Sequence, residues 1–492
     1  MLRTLYSAAF TLAQPALLAR LFWRARRQPE YRQHIGERWG HYAAWPTPVE
    51  RPPLLWLHAV SVGETRAAAP VIDALLAAHP QHTLLLTHMT PTGRAAGAEL
   101  LTRHPGRIVQ AYLPYDLPGP CKRFFAHFRP QRGLIMETEL WPNLCAAAAA
   151  QRVPLALVNA RLSARSAAGY ARVRGLIAPA LASLSVIAAQ AEADAERLRR
   201  LGAPRVVVCG NLKFDVTPDA AARARGARWK QRFVDAHGNA RPVLLAASTR
   251  DGEESLLLDA LAPWLKQPAT EPSPLLLLVP RHPQRFDDVA ALVRARGFTL
   301  ARRSALPPET TQKPSEHRAE KSEAIATLAP DVQVWLGDSM GEMAAYYAAA
   351  DLAVMGGSLL PFGGQNLIEA AACGCPTLVG PHTFNFAQAA ADAIDAGAAR
   401  RVRGLDEAQG DAPGGAADAT ANANDPSPPD SLAGSVSATL ATLAPALLAD
   451  PAALARMREC AHTFSHAHQG ATARTLAAVF ATDSAPANGR GV

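Results

Sequence analysis

The strongest constraint on how this chain can fold is a rhythm in which short apolar runs alternate with alanine-rich helical stretches, in two successive series. The first series lies at 54–60, 83–87, 133–136, 155–158, 186–189 and 206–209, and the second at 243–247, 275–279, 332–336, 352–355 and 377–379. Continuous apolar runs bounded by turn residues read as strands of a parallel sheet covered on both faces. Strand–helix alternation makes the fold class α/β. A chain of 492 residues exceeds what one core organises, so two domains of roughly 200 residues are expected. The arginine-rich stretch 216–241 separates them as linker plus helix, which gives an N-terminal segment 1–24, domains at 25–225 and 226–482, and a disordered tail at 483–492. Segments 306–321, rich in Pro, Glu and Lys, and 406–434, of low complexity, read as inserted solvated loops.

The N-terminus carries no charge from Thr4 to Ala19 and stays apolar through Leu21, Phe22 and Trp23. As a helix the uncharged part covers roughly 24 Å, slightly short of a hydrocarbon core. Arg24, Arg26, Arg27 and Arg32 follow it. A signal peptide has its positive charge before the apolar run, so the segment reads as a membrane anchor or an interfacial helix, with an ordinary buried helix as the alternative. By the positive-inside bias the remainder stays on the cytoplasmic side.

The net charge of +8 suits an anionic partner, but no KH, zinc-finger or RNP-type pattern points to nucleic acid. The six cysteines, at 121, 145, 209, 373, 375 and 460, lack a secreted-framework spacing. Cys373 and Cys375 with His382 do not match a usual zinc pattern, and no metal is expected.

Chemistry concentrates where strands turn into helices. In LHAVSVGETRAA (57–68) Glu64 stands just after the first apolar run, at the ligand-bearing edge of an open α/β sheet. On position alone the cap is the plainer reading, since a carboxylate in the first helical turn faces the positive end of the dipole. In the second half, Met355-Gly356-Gly357-Ser358 ends a strand, and Pro361-Phe362-Gly363-Gly364-Gln365-Asn366 leads into a helix. Glycines there let backbone N–H groups close around a phosphate, and Glu369 is placed for ribose hydroxyls. The pattern is neither a Walker loop nor GxGxxG. Prolines at 280 and 283 fix Arg281 at the cleft rim, where a guanidinium forks onto phosphate or carboxylate. Asp338-Ser339-Met340-Gly341-Glu342 is a further strand-to-helix cluster.

These segments, taken with LPYD (113–116), METELWPN (136–143), NARLSARSAAGY (159–170), GNLKFD (210–215), PRHPQRF, GDSMGEM and GGSLLPFGGQNLIEAA, resemble the 3-deoxy-D-manno-octulosonic acid (Kdo) transferases of lipopolysaccharide synthesis. The resemblance implies a GT-B fold, two Rossmann-like domains facing across a cleft, with an N-terminal membrane-anchor helix, the acceptor held by the first domain and CMP-Kdo by the second. It makes Glu64 the general base and assigns Glu137 and Lys213 to transition-state support. It places CMP binding at Pro280, Arg281, Met340, Gly341, Glu342, Asn366, Leu367, Ile368 and Glu369. The family's GGHNPLE reads GGQNLIE here, so Gln365 replaces a histidine and Leu367 a proline. The implied reaction is inverting transfer of Kdo from CMP-Kdo to lipid IVA at the inner membrane, with no resident cofactor. A UDP-sugar transferase, an epimerase and a non-catalytic lipid-binding protein are the alternatives on this scaffold.

Overall fold

The computed structural model describes residues 1–43, 52–267, 272–305, 328–402 and 429–481. The chain forms two compact units, Met1–Val216 joined by the C-terminal segment from His468, and Thr217–Ala467.

The first unit is built on β1 (Leu54–His58), β2 (Thr83–His88), β3 (Ile108–Tyr112), β4 (Arg132–Met136), β5 (Leu155–Ala160), β6 (Val186–Ala189) and β7 (Val206–Val208). They form one parallel sheet in the order β3-β2-β1-β4-β5-β6-β7. Every residue of β1, β2, β4, β5 and β6 is buried, which is why these strands read as continuous apolar runs rather than alternating ones. One face packs Trp56, Leu85, Phe124, Ile135 and Leu157, and the other packs Leu57, Val71, Leu84, Leu134 and Val158. The order reverses between β1 and β4, so a ligand crevice is expected outside the carboxyl ends of these two strands.

The second unit repeats the design with β8 (Val243–Thr249), β9 (Leu275–Pro280), β10 (Leu300–Arg302), β11 (Val334–Leu336), β12 (Leu352–Met355), β13 (Thr377–Val379) and β14 (Ala399–Arg401). The order is β10-β11-β9-β8-β12-β13-β14, with the reversal between β8 and β12. Its core joins Leu244, Leu276, Val334, Leu352 and Leu378 to Val436, Leu440 and Leu447 of the helix Pro429–Leu448.

Several expectations are corrected. Strands β3, β10 and β14 were not anticipated, and each lies at a sheet edge. The boundary falls at Val216/Thr217 rather than at 225/226, because the helix Ala220–Arg232 packs on the helix Met343–Ala349. There Gly226 lies so close that an added Cβ would come within 2.1 Å of the Ala345 carbonyl oxygen. The last helix, Ala471–Phe480, belongs to the first unit rather than the second. Asp215 caps it by accepting the Gly470 N–H at 2.7 Å, and Arg132 donates to the Val479 carbonyl at 2.6 Å. The uncharged N-terminal stretch is two helices, Leu2–Leu12 and Gln14–Arg24, divided before Pro15. Among the described residues no single helix is long and apolar enough to cross a membrane. Of the expected loop 406–434, the part from Pro429 is helical, while its remainder, the 306–321 insertion and the tail from 483 lie outside the described residues.

Candidate functional site

In the first unit the turn after β1 is organised by a reciprocal cap. The Ser61 hydroxyl accepts the Glu64 N–H at 3.4 Å and donates to Glu64 Oε1 at 3.0 Å, while Glu64 Oε2 accepts the Val60 N–H at 2.9 Å. This is capping-box chemistry, so the cap reading of Glu64 is correct as far as it goes. An ionised carboxylate offers about four acceptor positions, and two are used here. Burial, reinforced by the negative charge of Glu137 and opposed by the Val60 and Ser61 hydrogen bonds, pushes the Glu64 carboxyl up to about 7. A carboxyl poised there exchanges a proton at neutral pH.

Glu137 follows β4, the neighbour of β1 at the reversal point. Its backbone is left-handed, with φ +56°, a conformation that side-chain-bearing residues adopt at a cost and that clusters at functional sites. Its N–H donates to the Val158 carbonyl at 2.9 Å, and its Oε1 pairs with Lys213 Nζ at 3.3 Å. The structure thus brings Glu64, Glu137 and Lys213 into one partly buried cluster. Sequence reasoning missed the residue that seats Lys213. Asn159 is buried and left-handed at φ +52°, its Oδ1 accepts the Leu212 N–H at 3.0 Å, and its Nδ2 has no hydrogen-bond partner. The motif NARLSARS contained it, but a side chain that holds a backbone segment more than fifty positions away has no local signature.

The motifs LPYD and METELWPN prove to be one structural joint. Asp116 is buried and accepts the N–H groups of Asn143 and Leu144 at 3.1 and 2.8 Å, capping the helix Pro142–Ala150. The N-terminal helix docks beside it, with Ser7 hydrogen-bonded to Asn143 and Phe10 against Tyr115.

In the second unit the expected donor residues line the carboxyl edge of the sheet. Pro280 closes β9, and the Arg281 N–H donates to the Thr249 carbonyl at 3.0 Å. Met340 is exposed and Gly341 has φ +81°. The Glu342 carboxylate is already engaged: Arg303 pairs with it at 3.2 Å, Arg225 at 3.4 Å, and the Ser339 hydroxyl donates to it at 2.5 Å. Asn366 precedes a short helix, and its Oδ1 is shielded from solvent with no hydrogen-bond partner. Leu367 and Ile368 are buried in the core, so these residues offer a ligand little beyond backbone. Glu369 is half-buried beside Tyr347. Gln365 lies against the glycine loop, with its Nε2 at 3.1 Å from where a Cβ on Gly357 would stand.

Two acids that sequence reasoning passed over shape this edge. Glu253 is fully buried and accepts four backbone N–H groups, from Arg250 and Gly357 at 2.8 and 2.7 Å and from Leu359 and Leu360 at 3.0 and 3.3 Å. Glu254, also fully buried, accepts the Thr249 hydroxyl at 2.7 Å and a forked pair from Arg285 at 2.6 and 2.9 Å. Among the described residues no group of three or more His, Cys, Asp or Glu side chains is placed to hold a metal ion.

Comparison with known proteins agrees with this layout. Residues 33–216 match the family model of 3-deoxy-D-manno-octulosonic-acid transferase (kdotransferase). A 3-deoxy-D-manno-octulosonic acid transferase of Bordetella pertussis is 42% identical over 97% of this chain and 98% of its own length. That of Haemophilus influenzae is 36% identical over 78% of this chain and 84% of its own. In fold alone, the chain is similar to Anabaena HepE solved with UDP and glucose, with a TM-score of 0.53 at 14% identity over 88% of this chain and 100% of that one. It is similar likewise to the UDP-GlcNAc 2-epimerase of Neisseria meningitidis, with a TM-score of 0.52 at 13% identity over 88% and 98%. Both likenesses place the two parallel sheets in the GT-B class of architecture. The identity along nearly the whole chain decides the family: this protein belongs to the 3-deoxy-D-manno-octulosonic acid transferases.

Proposed function

We propose that the protein transfers Kdo from CMP-Kdo to a hydroxyl of a lipid A precursor such as lipid IVA, with inversion at the anomeric carbon and Glu64 as general base. The observation that carries the reading is the Glu64 carboxyl, held by Val60 and Ser61 with lone pairs to spare and tuned to about 7. In the proposed step the acceptor hydroxyl gives its proton to Glu64, its oxygen bonds to the anomeric carbon, and the bond from that carbon to the phosphate oxygen breaks. CMP leaves with the electron pair. Charge then builds on the phosphate and positive character on the sugar, as in glycoside hydrolysis, and fixed cations and dipoles stabilise it. Lys213, paired with Glu137, supplies a cation beside the base, while Arg281, the glycine loop and Asn366 receive the donor. A mass-spectrometric assay of lipid IVA incubated with CMP-Kdo tests the whole reading: Kdo adducts support it, and their absence beside tighter binding of UDP than of CMP favours a UDP-sugar enzyme.

The N-terminal helices are proposed to lie on the cytoplasmic face of the inner membrane. Leu5, Leu12 and Trp23 are 60%, 82% and 61% exposed, although they are apolar, and Arg20, Arg24, Arg26 and Arg27 accompany them. Exposed apolar side chains with flanking arginines suit an anionic interface. Co-sedimentation with vesicles containing phosphatidylglycerol is expected for the full chain, reduced severalfold by Leu5→Asp with Leu12→Asp; equal sedimentation of the variant removes the helices from that role.

A further inference from the structure

The order of the second sheet reverses between β8 and β12, and open α/β sheets bind ligands at the carboxyl ends of strands flanking such a point. The donor residues named so far follow β9, β11 and β12. None follows β8, although β8 forms one side of the crevice, as β1 with Glu64 does in the first unit. The carboxyl end of β8 with the turn that follows it, residues 248–254, carries three features that a mere connection does not need.

Ser248 has φ +59°, the single positive-φ residue other than glycine among the described residues of the second unit, and the β8–β9 register shifts between Ala247 and Thr249. Its carbonyl is pressed against the glycine loop: a Cβ on Gly356 would come within 2.4 Å of the Ser248 oxygen. Strained backbone persists only where the surroundings enforce it, typically at ligand sites. Next, the four N–H groups gathered by Glu253 join this turn to residues 357–360, so a single buried acid sets the shape of the glycine loop. Finally, the Arg250 guanidinium lies 4.8 Å from the centre of the Phe362 ring. Among the described residues no carboxylate pairs with it, whereas Arg285 in the same neighbourhood is held by Glu254 and Asp251. Burial, and after it the positive charges of Arg250, Arg281 and Arg285, holds the His282 imidazole below its usual range. A guanidinium such as that of Arg250, with no carboxylate partner among the described residues, suits a phosphate.

We propose that the turn after β8 is a further wall of the donor site, in which Arg250 contacts the phosphate of the cytidylate and Glu253 is a positioning residue that fixes the glycine loop around it. The inference rests on the CMP donor reading. It is tested by calorimetric titration of the full-length protein with CMP and with cytidine, which shares the base and ribose but lacks the phosphate. Wild type is expected to bind both, CMP the tighter. Arg250→Ala is expected to weaken CMP about tenfold or more, the scale of one charged hydrogen bond, and to leave cytidine unchanged, with Arg250→Lys in between. CMP affinity within twofold of wild type in Arg250→Ala overturns the assignment while leaving the donor reading intact; wild type that fails to bind CMP overturns both. The retained cytidine affinity shows that the variant is folded. For Glu253→Gln, the KM for CMP-Kdo is expected to rise about tenfold with little change in kcat, and amide exchange to accelerate at Gly357, Leu359 and Leu360 but not in β12. A fall in kcat at unchanged KM, or exchange spread through the sheet, overturns the positioning role.

Discussion

Glu64→Gln is expected to lower turnover by about 10²- to 10⁴-fold, the range a positioned general base contributes, while CMP binding stays near the wild-type value. The pH behaviour makes the expectation specific. With the carboxyl held at about 7, the active form is the deprotonated one, so kcat/KM of the wild type should rise tenfold per unit below that pH and level off above it. The residual activity of Glu64→Gln should lack this inflection. Stability should move the other way. An unfolded glutamate titrates near 4.5 and the folded one near 7, so the stability this group contributes is complete below 4.5 and lost as pH rises through 7. At pH 8 the ionised side chain costs on the order of 3 kcal/mol, less whatever solvent screening its partial exposure allows. Replacement by the neutral, nearly isosteric amide should therefore stabilise the protein at pH 8 and not at pH 4.5. A residue acting as a cap alone gives the opposite pair of results, namely turnover retained and stability lost as the Val60 and Ser61 contacts weaken. An inactive variant that is also more stable shows the exchange of stability for function found at active sites.

The parts of the fold that could be read from the sequence are those whose physics is local. All interior strands appear as apolar runs because burial on both faces demands it, whereas the edge strand β7, exposed at Val207 and Val208, appears as one through its β-branched valines. The three that escaped, β3 (IVQAY), β10 (LAR) and β14 (ARR), are edge strands. With one side unpaired they tolerate Gln and Arg, as edges that discourage further pairing often do, and their pattern is indistinguishable from loop. The candidate site divides in the same manner. Glu64 is visible because the strand, the turn and the helix that position it are contiguous. Glu253 occupies the corresponding place after β8, yet STRDGEE reads as a solvated, charged helix start. Its burial comes from N–H groups more than a hundred positions later, which no periodicity reveals. Glu137 and Asn159 owe their orientation to left-handed backbones, and neither is a glycine that would have signalled one. Lys213 reads as an ordinary surface lysine until Asn159 and Glu137 are in place around it. The resemblance to the Kdo transferases is what implies a role for it and for Glu137; the geometry supplies a physical reason for the grouping.

Mild acid should loosen the same edge of the first sheet through two neutral histidines. His58 and His88 are fully buried on adjacent strands. His58 Nδ1 lies 2.9 Å from the Thr87 hydroxyl and 3.1 Å from its carbonyl oxygen, and its Nε2 has no hydrogen-bond partner, so a proton there creates a buried charge with nothing to receive it. His88 Nδ1 meets the Ala59 carbonyl at 3.0 Å, which requires that nitrogen to donate, and leaves Nε2 to accept from Gln110 at 3.1 Å. Burial chiefly, with the neighbouring His88 charge acting on His58 and Arg94 on His88, lowers the two imidazoles to about 3 and about 4. The unfolded chain holds both near 6.5. Their stabilising effect is thus complete above 6.5 and is lost as pH falls toward the folded values. At pH 5 each has given up about 2 kcal/mol, and the pair together is comparable with the lower end of a whole domain's stability. The consequence reaches the base, because the Ala59 carbonyl held by His88 directly precedes the Val60 N–H that holds Glu64. Hydrogen exchange of β1 and β2 amides, corrected for intrinsic rates, should show protection falling steeply between pH 7 and 5. In His58→Asn with His88→Asn, whose amides reach the positions of the Nδ1 atoms without titrating, protection should start lower and stay flat. A wild type equally protected at both pH values rejects the neutral pair as the origin of acid sensitivity. A steep loss in the double variant points instead to carboxylates elsewhere in the unit.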